Sequence, residues 1–140
     1  MRNKIIASVE FYFKGEQHTP EVTIDLDILM ANHQSSHDRW MSIYHLLARE
    51  NGIDTYSYQF EIMQVEKIQF RDATGISAEY LRGGQFFIAE FENAWQERNI
   101  LENIQLIAKQ HLAINDLSHH PELKAALFEA YKLGTNQGKN

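Results

Sequence analysis

The sequence contains no cysteine, which excludes disulfides, thiolate nucleophiles, iron–sulfur clusters and cysteine-ligated zinc together. It holds only two prolines and seven glycines, and no run of either marks an internal linker. No stretch approaches the roughly 20 apolar residues of a spanning helix. The opening MRNKIIASVEF also lacks the apolar core of about 7–15 residues found in a secretory signal. A cytoplasmic protein with no membrane partner is therefore expected. Basic clusters are missing too: 13 Lys and Arg are scattered among 19 Asp and Glu, for a net charge of −6. Nothing is arranged to neutralise a run of phosphates, so nucleic acid is not an expected partner. Gly83-Gly84 lacks the further glycines and the lysine of a phosphate-binding loop, and no G-x-S-x-G elbow occurs.

The 140 residues are 44% hydrophobic and 11% aromatic, the composition of an ordinary folded protein. A chain of this size buries about 68–70% of the surface that its unfolded form exposes. One α+β domain over residues 1–134 is expected, followed by a polar tail, residues 135–140, that is disordered.

Residues 36–52 carry the clearest helix. Ser35 or Ser36 can cap it, Asp38 lies in its first turn, and Asn51-Gly52 ends it. At 100° per residue, Trp40, Ile43, Tyr44 and Leu47 form one stripe, with Asp38, Arg39, Ser42, His45 and Arg49 opposite. Before this helix, residues 4–13 and 22–30 alternate in polarity and read as a hairpin across the turn-like KGEQHTPE. Matching their apolar faces sets Phe11 across from Ile24 and Val9 across from Leu26. After the helix, residues 55–62 read as a third strand and 65–71 as a further strand, with a short helical turn over residues 61–67 as the rival reading. Gly83-Gly84 points to a second hairpin of residues 76–82 with 85–91, with Tyr80 across from Phe87. The rival for 76–82 is a short helix capped by Ser77. Two helices close the chain, the first capped by Asn93 and the second entered at His120-Pro121 and ending at Gly134. The expected fold class is α+β: a mainly antiparallel sheet of about five or six strands built from hairpins, with three helices packed largely on one face in two layers.

Two candidate sites follow. The expected hairpin register places Glu10 across from Asp25 and Ser8 across from Asp27. Three carboxylates then share the outer face, where like charges repel unless something compensates them. A divalent cation is one possible compensator, with His33 or His37 as a further ligand or base. Seven histidines invite the idea, although His37 and His45 lie about 12 Å apart along the helix. The ordinary reading is a solvated face, or one covered by Lys67 and Arg71. The second candidate is an interface: Ile6, Tyr12 and Leu29 on the outer hairpin face, with Leu81 and Phe86 on the second hairpin, are apolar residues that need cover. Tyr56, Tyr58 and Phe60, roofed by Trp40 and Tyr44, form either core or an apolar pocket.

The leading reading is a non-catalytic binding or assembly module, homodimeric through its sheet and without a cofactor. The alternative is a divalent-metal-dependent hydrolase or small-molecule enzyme built on the carboxylates and histidines. Whether the chain is an enzyme is thus open at this stage.

Overall fold

The computed structural model describes residues 2–32 and 35–137. Its contacts gather into two compact units, residues 1–91 and 92–140.

In the first unit, Lys4–Ser8 (β1), Phe11–Phe13 (β2), Glu16–His18 (β3) and Glu21–Asp25 (β4) form a hairpin. Its tip is Lys14-Gly15, both at positive φ, as a tight two-residue turn requires. This short turn sets the register. Ile5 pairs with Ile24 and Ala7 with Val22, while Phe11 pairs with His18, their rings stacked 5.2 Å apart. The expected register, Phe11 across from Ile24, needs all of KGEQHTPE as loop, whereas Glu16–His18 pairs as strand. The ladder is interrupted where Val9 N–H donates to the Pro20 carbonyl at 3.2 Å, because proline has no N–H to return. Face alternation survives the change, and Ile5, Ala7, Val9, Phe11 and Ile24 are all buried.

β4 stops at Asp25 rather than continuing to residue 30. The Asp25 carboxylate accepts the backbone N–H groups of Asp27 and Ile28 and so caps Leu26–Ala31 (α1). Leu26, Leu29 and Met30, spaced i, i+3, i+4, are buried, so helical spacing prevails over the alternation of 22 to 30. The same correction applies to the expected third strand. Ser57 Oγ accepts from Phe60 N–H at 3.2 Å and starts the helix Tyr58–Gln64 (α3), which buries Phe60 and Met63.

Between these lies Ser36–Glu50 (α2), with Ser35 Oγ accepting from Asp38 N–H at 3.2 Å and Gly52 at positive φ past its end. Ile43, Tyr44, Leu47 and Ala48 are buried along it as the spacing predicts, and Trp40 is half-buried. Arg39, which the helical wheel sets on the polar side, is buried as well. Gln69–Arg71 (β5) joins the other edge of β1, giving a three-stranded antiparallel sheet in the order β4-β1-β5.

The glycine hairpin has its expected register, Leu81 with Phe86 and Arg82 with Gln85 in Leu81–Arg82 (β6) and Gln85–Phe86 (β7). Phe87 N–H also donates to the Tyr80 carbonyl at 2.8 Å. Its arms are only two residues each, because a 3-10 segment, Gly75–Tyr80, precedes β6 and the helix Ile88–Leu112 (α4) follows β7. That helix starts before Asn93, and Phe91 is fully buried in its first turn. The architecture is thus mixed α+β with antiparallel sheets. It is not one layer of five or six strands under three helices: the sheets have three, two and two strands, and five α-helices occur among the described residues.

In the second unit, Ile104 and Ala108 of α4 form a small core with Leu117 of the 3-10 turn Leu117–His119, flanked by Leu101 and by Leu127 and Tyr131 of the helix Pro121–Gln137 (α5). Gln105 staples the connecting turn, donating to the Ile114 carbonyl at 3.0 Å and accepting from Leu117 N–H at 2.7 Å. α5 continues past Gly134 to Gln137.

Candidate functional site

The expected carboxylate cluster does not assemble. With the shorter turn, Glu10 faces the Thr19 end of the hairpin instead of Asp25 and bonds Gln17. Asp25 sits across from Lys4, bonds the Arg2 guanidinium and caps α1. Burial raises the Asp25 pKa, but the Arg2 hydrogen bond, the Ile28 and Asp27 N–H groups and the Arg2 charge outweigh it and leave the carboxyl below the usual range. Asp27 accepts from Asn3 N–H at 3.1 Å and Asn3 Nδ2 at 2.9 Å. The compensating cation is therefore Arg2. Of the two cations suggested by sequence, Arg71 bonds Glu21 and Asp72 instead. His37 is exposed in the first turn of α2, and His33 lies outside the described residues. Among the described residues, no three His, Asp or Glu side chains converge as ligands for an ion.

The interface candidates divide. Tyr12 is 63% exposed, while Ile6 and Leu81 are half-buried. Leu29 and Phe86, at 5% and 6% exposure, are buried. Leu29 faces inward because it is three residues after Leu26 on α1, a helix where the alternation expects a strand, whereas Phe86 lies in a strand as expected and turns its ring inward.

Two concavities flank α2. The larger, about 1190 Å³, runs between β4 and α2 and is lined by Val22, Thr23, Ile28, His45, Leu46 and Arg49 among others. One wall is a sheet edge, since β4 is outermost in its sheet. Leu26 N–H donates to Asn3 O, and Val9 N–H to Pro20 O. Hydrogen-bonded pairs therefore fall at 26, 24, 22 and 20 of this arm, and alternation turns the N–H and C=O of Glu21, Thr23 and Asp25 to the open side. Asn51 Nδ2 donates to the Glu21 carbonyl at 3.1 Å. Thr23 has no partner for either group among the described residues.

The smaller concavity, about 640 Å³, opens on the other flank of α2 and has Trp40, Met41 and Tyr44 along one side and Phe70 and Phe86 along the other. Trp40 and Tyr44 do roof a pocket, as their stripe suggested, but not over the expected residues. Tyr56 and Tyr58 are exposed and Phe60 is core, because α3 replaces the strand that would have aligned them. Sequence reasoning missed Phe70 and Lys67 here. The alternation of Ile68 and Phe70 was the available signal. Comparison with protein-family models, curated proteins and solved structures finds no match. No helix among the described residues is long and apolar enough to cross a membrane.

Proposed function

We propose that the chain is a non-catalytic assembly module of the cytoplasm that homodimerises by pairing its β4 edge with the same edge of a second copy. The observation that carries this reading is the open edge itself: Thr23 presents an unpartnered N–H and C=O beside a groove whose rim includes Ile28, 60% exposed. An unpaired edge is a ready template for another strand. Antiparallel pairing about a two-fold axis at Thr23 brings Thr23 against its own copy and Glu21 against Asp25 of the second copy. Like charges opposite one another cost stability, but here Arg71 holds Glu21 and Arg2 holds Asp25. The alternative, a divalent-metal hydrolase, has less support because its three carboxylates are engaged separately with Arg2, Asn3 and Gln17.

Thr23→Pro tests the proposal. It removes the outward N–H while breaking no hydrogen bond among the described residues, and proline is tolerated at a strand edge. Sedimentation should show a dimer for the wild type and dissociation at least about tenfold easier for the variant, at unchanged circular dichroism. A wild type that stays monomeric throughout the accessible concentration range, or a dimer indifferent to Thr23→Pro, refutes it.

A further inference from the structure

The pocket between Trp40 and Phe86 is distinct from the β4 edge and shares no lining residue with it. Its volume, about 640 Å³, falls in the range of about 300–1,000 Å³ typical of small-molecule sites. The walls are aromatic: the Trp40 ring centroid lies 6.4 Å from that of Phe70 and 5.9 Å from that of Phe86, with both pairs edge to face. Phe70 and Phe86 are themselves 5.3 Å apart. Such rings favour a flat, apolar guest that meets them by offset stacking or edge contact.

The charge of the lining narrows the guest further. The chain carries 19 Asp and Glu and a net charge of −6, yet no carboxylate lines this pocket, while Lys67 and His37 do. Neither forms an ion pair among the described residues. The other arginines and lysines near the sheet are differently placed, with Arg2 and Arg71 already held by acids. A Lys at the mouth of an acid-free aromatic pocket is a docking point for an anionic group. A second, independent feature is the Trp40 Nε1–H, which is shielded from solvent and has no acceptor among the described residues. A buried donor without a partner is costly, so a guest that supplied it with an acceptor would gain by it.

We infer that this pocket binds a small aromatic carboxylate, its ring between Trp40 and Phe86 and its carboxylate at Lys67. The ring supplies apolar burial and the ammonium selects the anion, so a neutral amide of the same shape should bind less well.

The test uses 2-naphthoate and 2-naphthamide with the full chain, read by titration calorimetry and by the indole N–H resonance of Trp40 in ¹⁵N-edited spectra. Naphthoate should bind saturably below about 1 mM and shift the Trp40 signal. Naphthamide should bind about fivefold more weakly, and Lys67→Met should cost naphthoate about the same factor while leaving naphthamide unchanged. Met41→Trp, which fills the half-buried rim without deleting a core group, should abolish both. Equal affinity of acid and amide, or indifference to Lys67→Met, overturns the assignment of the carboxylate. A Trp40 signal that is unmoved by either compound overturns the site. So does one that moves only with protein concentration, since the pocket would then be filled by a second copy.

Discussion

Gly75→Ala should be among the most damaging conservative changes available to this protein. Gly75 opens the 3-10 segment at φ +67, where an L-residue with a Cβ costs about 1–2 kcal/mol. A Cβ there would also run into Asn3 Oδ1 and lie 3.0 Å from both the Asn3 Cγ and the Arg2 carbonyl oxygen. Asn3 cannot yield cheaply. It is buried, its Oδ1 accepts the N–H of fully buried Ser77 at 3.2 Å, and its Nδ2 donates to Asp27 at 2.9 Å. Displacing the amide strands the Ser77 N–H, at a cost of about 1–3 kcal/mol. The total is about 2–5 kcal/mol, a large share of the roughly 5–15 kcal/mol that holds a domain folded. Urea unfolding followed by Trp fluorescence measures it. A double-mutant cycle with Asn3→Ala isolates the clash: the amide is absent in that background, so Gly75→Ala should cost about 1–3 kcal/mol less there, leaving only the backbone strain. Loss of under about 1 kcal/mol in the single variant, or additivity within about 0.5 kcal/mol, would refute the reasoning.

Two further expectations concern other elements. Asp25→Asn keeps an oxygen to cap α1 and should cost well under the about 0.5–2 kcal/mol that Asp25→Ala loses. Were Asp25 merely repelled by neighbouring carboxylates, both changes would stabilise instead. Because the Asp25 carboxyl is held below its ordinary pKa, its contribution to stability is present above the unfolded-state pKa and is lost as pH falls through the folded value. Acid titration of unfolding should therefore be shallower in Asp25→Asn than in the wild type. In the second unit, Gln105→Ala removes both staples of the turn, to Ile114 and to Leu117, and should cost about 1–3 kcal/mol. Faster amide exchange at Leu117 would report it, and unchanged exchange would show that the turn holds without Gln105.

Particular residues show why parts of the fold and site were legible in sequence and others were not. α2 was readable because its Ser35 cap, its Asn51-Gly52 stop and its 3.6-residue stripe agree with one another. The Gly83-Gly84 register was readable because a two-residue turn leaves a single way to pair Leu81 with Phe86. Residues 22–30 carried two periods at once, with Val22, Ile24, Leu26, Ile28 and Met30 alternating while Leu26, Leu29 and Met30 kept helical spacing. The deciding signal is Asp25 as a cap, which alternation by itself does not distinguish from surface charge. The same holds for Ser57 ahead of α3. The candidate carboxylate site fell with the register, because Glu10 meets Asp25 only if the hairpin closes over eight residues rather than at Lys14-Gly15.

Composition and local pattern alone determined the α+β class, the absence of cysteine chemistry, the buried face of α2 and the inward face of β1. These are properties of neighbours in sequence, fixed by side-chain period and capping. Only the tertiary structure decided that Arg2 covers Asp25, that β4 is an open edge and that Phe70 and Phe86 meet Trp40 around an acid-free pocket. Each of these joins segments tens of residues apart, and their encounter depends on register and on which strand ends the sheet, which no local spacing encodes.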